Sequence, residues 1–336
     1  MGVPSARIAG PDSSSWIDDE PGPGRSPIES HMSTPGTNLN APRLSVVQLV
    51  PALESGGAER ATLEIGRALV AAGQEWIVGS AGGGLVERLG AEGSRHIEMS
   101  IGRKSLKTLA LVPRLRAVID ETGANIVHAR SRLPAWLGWR ALNGLNGPRP
   151  RFVTTVHGLN TPGWYSGIMT RGERVICVSN LVRDHVVRHY RSVNPSKLIL
   201  IPRGVDAEEF PFGYQPEDEW RRRFLAEFPM LDGAPLLTLP ARGTRLKGHA
   251  FALELIADLK ARGVDARLLL LGVREAGRED YLAELEAMAS ALGIAERVAM
   301  TAARADVREI MAISTLVLQL STQPESFGRT VIEALS

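Results

Sequence analysis

A chain of 336 residues, 44% hydrophobic and carrying a net charge of +2, is long enough for two cores and too evenly charged for its overall charge to direct it to nucleic acid. Its single cysteine, Cys177, excludes an internal disulfide, and the apolar run Val175-Ile176-Cys177-Val178 marks a buried structural thiol. No apolar run reaches the roughly 18–20 residues of a membrane span, and Asp18-Asp19-Glu20 with several prolines stands where a secretory signal needs basic and apolar regions, so a cytoplasmic protein is expected.

Residues 1–42 are rich in Pro, Gly and Ser and show no apolar period; they read as a disordered or over-extended N-terminal segment. Met32-Ser33-Thr34-Pro35 offers a more ordinary beginning, and Ser30-His31-Met32 reads equally as a cloning scar. From Arg43 short β-branched runs alternate with amphipathic segments, the pattern of βαβ units on a parallel sheet. Strands are expected at 44–50, 76–80, 96–99, 126–129, 152–156, 175–178 and 198–201, with helices at 58–72, 85–92, 106–121, 134–142 and 181–190. Together they make one complete doubly wound domain over residues 43–203. A loosely patterned stretch, 210–232, carries Trp220-Arg221-Arg222-Arg223-Phe224 on an expected surface helix. The pattern then restarts, with strands at 236–240, 267–271, 297–300 and 316–320 and helices at 248–262, 279–292, 305–313 and from 328 onward. The second domain therefore covers residues 204–336, and the fold class is α/β.

Ligands of such sheets gather at the C-terminal ends of the strands, and the polar residues of this chain gather there too. Gly56-Gly57, after the first strand, lets the backbone approach a ligand closely. The turn does not match the dinucleotide fingerprint, and the second strand ends in Gly79-Ser80-Ala81-Gly82 without the acid that holds an adenosine ribose. His128 and Arg130 stand at the end of the strand 126–129, where they are expected to face the same crevice edge and contact an acceptor, and His157-Gly158 and Ser179-Asn180 follow the next two strands; Ser179 also suits an N-cap. In the second half Arg242 and Lys247 bracket a Gly-Thr-Arg-Leu loop after the strand 236–240, and Gly248 opens the next helix. Glu325 lies in the loop Pro324-Glu325-Ser326-Phe327-Gly328, and Glu333 follows about two turns into the helix this loop starts. With Ser326 as N-cap, the free backbone N–H groups of Phe327, Gly328 and Arg329 sit at the positive end of the helix dipole, which suits a diphosphate. No Asp-x-Asp occurs and the histidines are scattered, so no metal site is expected. The basic stretch Arg103-Lys104-Ser105-Leu106-Lys107, with Trp136 and Trp139, suits either an anionic membrane surface or an ordinary solvated loop above core tryptophans.

Glu325-x7-Glu333 with Phe327-Gly328, preceded by Arg242 and Lys247-Gly248, resembles the donor site of retaining nucleotide-sugar glycosyltransferases, and the closest resemblance is to glycosyltransferase family 4. The resemblance runs from about residue 43 to 336 and implies the GT-B fold: two Rossmann-like doubly wound domains facing a crevice. Family members continue beyond a position matching Ser336, so the second domain is expected to be incomplete, with an open sheet edge that is marginal alone. The resemblance implies that Arg242 and Lys247 bind the departing diphosphate, Glu325 contacts hydroxyls of the donor sugar, and Glu333 accepts the ribose hydroxyls. It places His157 beside the donor sugar, Gly56 and Gly57 beside phosphate and acceptor, and Ser179 with the backbone of Phe327, Gly328 and Arg329 in donor binding, with Arg329 a further cation. The implied reaction is metal-independent retaining transfer from a nucleotide diphosphate sugar, with no other cofactor, to a glycan or lipid-linked acceptor in polysaccharide or lipopolysaccharide synthesis. Peripheral contact with the inner face of a membrane is part of that expectation. The rivals are a non-catalytic nucleotide-sugar-binding fragment and a nucleotide-binding oxidoreductase.

Overall fold

The strands run as the alternation requires. In the computed structural model, which describes residues 43–54 and 56–336, the first half forms β1 (Ser45–Leu49), β2 (Glu75–Ser80), β3 (Arg95–Glu98), β4 (Ile126–Ala129), β5 (Arg151–Val156), β6 (Arg174–Cys177) and β7 (Leu198–Leu200). The expected N-terminal segment, residues 1–42, lies outside the described residues. All neighbours pair in parallel, in the order β3-β2-β1-β4-β5-β6-β7. The second half builds a smaller parallel sheet, β10-β9-β8-β11, from β8 (Leu236–Pro240), β9 (Arg267–Leu271), β10 (Val298–Met300) and β11 (Leu316–Val317).

Both sheets are covered on both faces, which is why their strands read as predominantly apolar runs. Along β1, Val47 and Leu49 enter one core while Val46 and Val50 enter another; along β9, Leu268 and Leu270 face one cluster and Leu269 and Leu271 the opposite one. The covering helices of the first half are α1 (Gly57–Ala71), α2 (Val86–Ala91), α3 (Leu106–Leu109), α4 (Val112–Glu121), α5 (Arg132–Leu142) and α6 (Asn180–His189). Those of the second are α7 (Asp218–Glu227), α8 (His249–Ala261), α9 (Glu279–Ala291), α10 (Val307–Ile313) and α11 (Arg329–Leu335).

Three expectations need correction. The single helix 106–121 is two, because Pro113 in the first turn of α4 has no N–H and its ring crowds the preceding turn. The expected strand 316–320 pairs only as the two-residue β11, and Leu318 continues the contact with one hydrogen bond to Thr238 O at 2.7 Å. The surface helix is a covering helix: Phe224 is buried, Trp220 stacks on it at 5.1 Å, and both pack with Leu269 and Leu271.

Each sheet reverses its order at one point, between β1 and β4 in the first and between β8 and β11 in the second. There the following loops leave in opposite directions and open a crevice beyond the C-terminal strand ends.

Candidate active site

The second reversal holds Lys247 and Glu325. Gly248 caps α8 at φ +75°, and a Cβ there would meet Leu320 O at 2.0 Å, so only glycine lets the loop after β8 lie against the segment after β11. Thr322 N–H donates to Leu246 O at 2.9 Å and ties the two loops together. Across this seam the Lys247 ammonium donates to Glu325 Oε1, which also accepts from Ser321 Oγ and from Gln319 Nε2 at 2.9 Å. Desolvation pushes the Glu325 carboxyl up, but Lys247 and Ser321 outweigh it and hold the group below the usual carboxylate range. The other loop cations diverge. Arg245 pairs with Glu284 and lies 5.0 Å from the Tyr281 ring, while Arg242 is exposed and joins no ion pair among the described residues.

The loop after Glu325 corrects the expected helix start. α11 begins at Arg329, its N-cap is Gly328 in the left-handed region (φ 77°, ψ 51°), and Val331 N–H donates to Gly328 O at 3.0 Å. Ser326 therefore caps nothing, and the N–H groups of Phe327 and Gly328 precede the helix. Phe327 packs against the core of the first sheet. Arg329 is buried and fully engaged: it donates to both oxygens of Glu64 on α1 and, from Nε at 2.6 Å, to Glu333 Oε1. Burial opposes its charge, but the two carboxylates prevail and raise its pKa. It is not an uncommitted cation, and one oxygen of Glu333 is occupied.

The first reversal contributes the facing wall. Gly56 caps α1 and Gly57 begins it; a Cβ on Gly57 would lie 3.1 Å from an Arg203 terminal nitrogen and 3.9 Å from Arg329 Cδ. His157, after β5, accepts from Arg130 Nε at Nε2 (2.9 Å) and stands 2.7 Å from an Arg203 terminal nitrogen at Nδ1. Burial first, then the two guanidinium groups, push its pKa well below the histidine range. Arg130 itself is pushed down to about 9 by burial and by Arg203. A Cβ on Gly158 would be 3.4 Å from Ser326 Oγ, so the two halves meet directly beside His157. Ser179 is the N-cap of α6, its hydroxyl accepting from Val182 N–H at 3.2 Å. His128 does not face the crevice: it is buried between Gln48 and Thr155, 2.7 Å from the Thr155 hydroxyl, and its pKa falls to about 3 through burial. Cys177 is buried too, its thiol pushed up to about 11 by desolvation.

Between the halves lies a cavity of about 340 Å³ bounded by Arg60, Leu63 and Glu64 on one side and Ala303, Arg304 and Ala305 on the other. Among the described residues no three His, Cys, Asp or Glu side chains gather as metal ligands, and no helix is long and apolar enough to cross a membrane. Arg103, Lys104 and Lys107 are exposed, Trp136 and Trp139 half-buried.

Arg203 and Glu64 are absent from the sequence-derived site. Arg203 had a usable signal, since Pro202-Arg203-Gly204 follows a strand end as His157 does. Glu64 had none, because its partner Arg329 lies 265 positions away.

Comparison with known proteins agrees with this architecture. The family model described as Glycosyltransferase Family 4 matches residues 55–209, and the one described as Glycosyl transferases group 1 matches residues 222–336. No curated protein matches the chain. A glycosyltransferase from Rickettsia africae ESF-5 shares 30% identity at a TM-score of 0.76, over 88% of this chain and 77% of its own. Anabaena Alr3699/HepE, solved with UDP and glucose, shares the fold at 20% identity and a TM-score of 0.73, over 87% of this chain and 78% of its own. WaaG, a glycosyltransferase involved in lipopolysaccharide biosynthesis, does so at 15% and 0.65, over 86% of this chain and 78% of its own. With both halves matched in order and the Rickettsia enzyme alike in sequence and fold, the chain belongs to the GT-B glycosyltransferases, with a family 4 first half and a group 1 second half.

Proposed function

We propose that this glycosyltransferase moves a sugar from a nucleoside diphosphate sugar to a hydroxyl of a glycan or lipid-linked acceptor, with retention and without a metal ion, in building cell-surface polysaccharide or lipopolysaccharide. The observation that carries the reading is the Lys247–Glu325 contact at the reversal point of the second sheet. An ammonium and a carboxylate held there match the two needs of the donor, a cation for the leaving diphosphate and an acceptor for sugar hydroxyls. Arrival of the diphosphate draws Lys247 away from Glu325, which frees Oε1 for the sugar. Arg242, exposed on the same loop, supplies the second cation. The nucleoside enters the cavity beside Glu64, and Glu333 offers the ribose its second oxygen. Support for a uridine donor comes from HepE, solved with UDP-glucose, and support for the cellular role from WaaG.

In the step itself the acceptor oxygen bonds to the anomeric carbon from the face the diphosphate leaves. The bond from that carbon to the β-phosphate oxygen breaks, and its electron pair stays on the diphosphate. The hydroxyl proton passes to a phosphate oxygen. Fixed cations do here what a metal does elsewhere, by neutralising the charge that develops on the leaving group. The placement is cytoplasmic, with contact to an anionic membrane surface through Arg103, Lys104 and Lys107, beside the exposed Trp164.

The test is incubation with UDP- and GDP-sugars with and without EDTA, reading nucleoside diphosphate release and the anomer of the product by proton NMR. Release from one donor, unchanged by EDTA and with the donor's anomeric configuration kept, is expected; an inverted product or loss with EDTA overturns those parts, and absence of donor binding overturns the whole. For membrane contact, the triple alanine variant at Arg103, Lys104 and Lys107 is expected to stop sedimenting with anionic liposomes, and undiminished sedimentation removes that element.

A further inference from the structure

Four buried or half-buried arginines of this chain fall into two kinds. Arg329 has Glu64 and Glu333, and Arg304 has Asp306 and Glu227, so their charge is met where it is desolvated. Arg130 and Arg203 have no carboxylate partner among the described residues. Arg130, 6% exposed, donates only to His157 and to the Thr62 hydroxyl at 3.2 Å. Arg203 reaches His157 Nδ1, and its own Nε is buried with no hydrogen-bond partner.

The contacts that exist are also inconsistent with one another. A neutral imidazole has one lone pair and one N–H, so His157 accepts from one guanidinium and must present its N–H to the other. Both arginines remain protonated near neutrality, so one of the two contacts sets donor against donor. The surrounding acids do not resolve it. Glu64 is committed to Arg329, and Glu59 acts on both cations only through space. Two desolvated positive charges, an orphaned guanidinium N–H and a frustrated imidazole thus meet at the ends of β4, β5 and β7, with Gly57 leaving Arg203 room to move.

We propose that Arg130, Arg203 and His157 form a second oxyanion site, on the first half of the molecule, which takes a phosphoryl group of the acceptor. This rests on the reading of the crevice as a glycosyl-transfer site. A phosphate accepts from both guanidinium groups and from the imidazole N–H at once, which satisfies Arg203 Nε and ends the conflict at His157. The donor's diphosphate has its own cations, Arg242 and Lys247, on the opposite half. The cations beside His157 are therefore left to the acceptor, which implies a phosphorylated sugar or a diphosphate-linked lipid rather than a neutral glycan.

The probe is inorganic phosphate, titrated by calorimetry into the full chain already saturated with UDP, so that the donor's phosphate positions are filled. Binding is expected to persist, to weaken at least tenfold in Arg203→Gln, and to stay within twofold in Lys247→Ala; Arg203 is half-buried at the crevice and its variant is checked for an unchanged melting temperature. Displacement of the phosphate by glucose 6-phosphate identifies a soluble acceptor, and displacement only by vesicles carrying a polyprenyl diphosphate identifies a lipid-linked one. Abolition of phosphate binding by UDP, or equal binding in Arg203→Gln, overturns the proposal and assigns these cations to the donor. A chain that binds no UDP counts against the nucleotide-sugar reading instead, and the comparison of Arg203→Gln with Lys247→Ala in phosphate alone still decides the oxyanion site.

Discussion

Lys247 and Glu325 form a pair that is poised rather than structural, each side chain about 30% exposed and each facing the crevice. Removing the ammonium leaves the fold nearly untouched and, on the proposed reading, takes away a fixed charge at the leaving group. Lys247→Ala is accordingly expected to lower turnover by roughly 100-fold or more while the melting temperature stays close to that of the parent, read from UDP release and calorimetry. Gly248 behaves in the opposite way. At φ +75° with Leu320 O in the path of a side chain, Gly248→Ala is expected to cost about 2 kcal/mol or more in urea unfolding and to lose donor binding as well, because the same seam sets Lys247 against Glu325. A variant as stable as the parent would show that the loops after β8 and β11 do not need this close approach. That Lys247 and Glu325 lie in loops after strands was legible in the sequence, and the structure brings the two side chains into contact there. The commitments of Arg329 were not legible, since what decides them is a carboxylate on a helix of the other half.

At the scale of elements, strands read well and helix ends less well, for a physical reason. The strands of both sheets are buried on both faces, so Val46 to Val50, interrupted only by the buried Gln48, and Leu268 to Leu271 show as near-continuous apolar runs whatever their neighbours. Helix ends depend on single residues in competition. Pro113 splits one expected helix, and the left-handed Gly328 displaces Ser326 as the start of α11. α7 looked like a surface element because three consecutive arginines outweigh Trp220 and Phe224 in the pattern, although those two rings close one face of the second sheet. The docking of α11 onto α1 yields a prediction of its own. Glu64→Gln removes one of two charges that compensate Arg329, whose side chain is 8% exposed, and a buried cation left half-paired costs about 3 kcal/mol. Urea unfolding is expected to show that loss, and Arg329 is then expected to exchange its guanidinium protons faster by NMR. A loss under about 0.5 kcal/mol would mean that Glu333 alone suffices.

For the whole molecule, the imidazoles that burial holds low, His96, His128 and His157 in the first half and His249 in the second, set how stability follows pH. His128 lies between Gln48 and Thr155, and burial lowers its pKa to about 3; His157 moves in the same direction beside Arg130 and Arg203. Both groups take up a proton far more readily in the unfolded chain, near pH 6.5, than in the folded one. The unfolded state therefore binds more protons below that value, and stability falls as pH drops. Above about pH 7 neither group contributes a slope. Between pH 6.5 and 5, one such histidine costs about 2 kcal/mol, at about 1.4 kcal/mol for each pH unit. The ion-paired carboxylates Glu325, Asp306 and Glu309, all held low, lose their stabilising charge only in a more acidic window, so the two effects separate on the pH axis. Urea midpoints measured from pH 8 to pH 5 are expected to be flat at first and then to decline with a slope of two protons or more, since His249 and His96 are lowered in the same direction as His128 and His157. His128→Gln keeps a hydrogen-bonding side chain between Gln48 and Thr155 but cannot titrate, and it should remove about one proton from that slope. If the slope of the variant equals that of the parent, His128 is already protonated in the folded chain, and its burial between β1 and β5 does not exclude the charge.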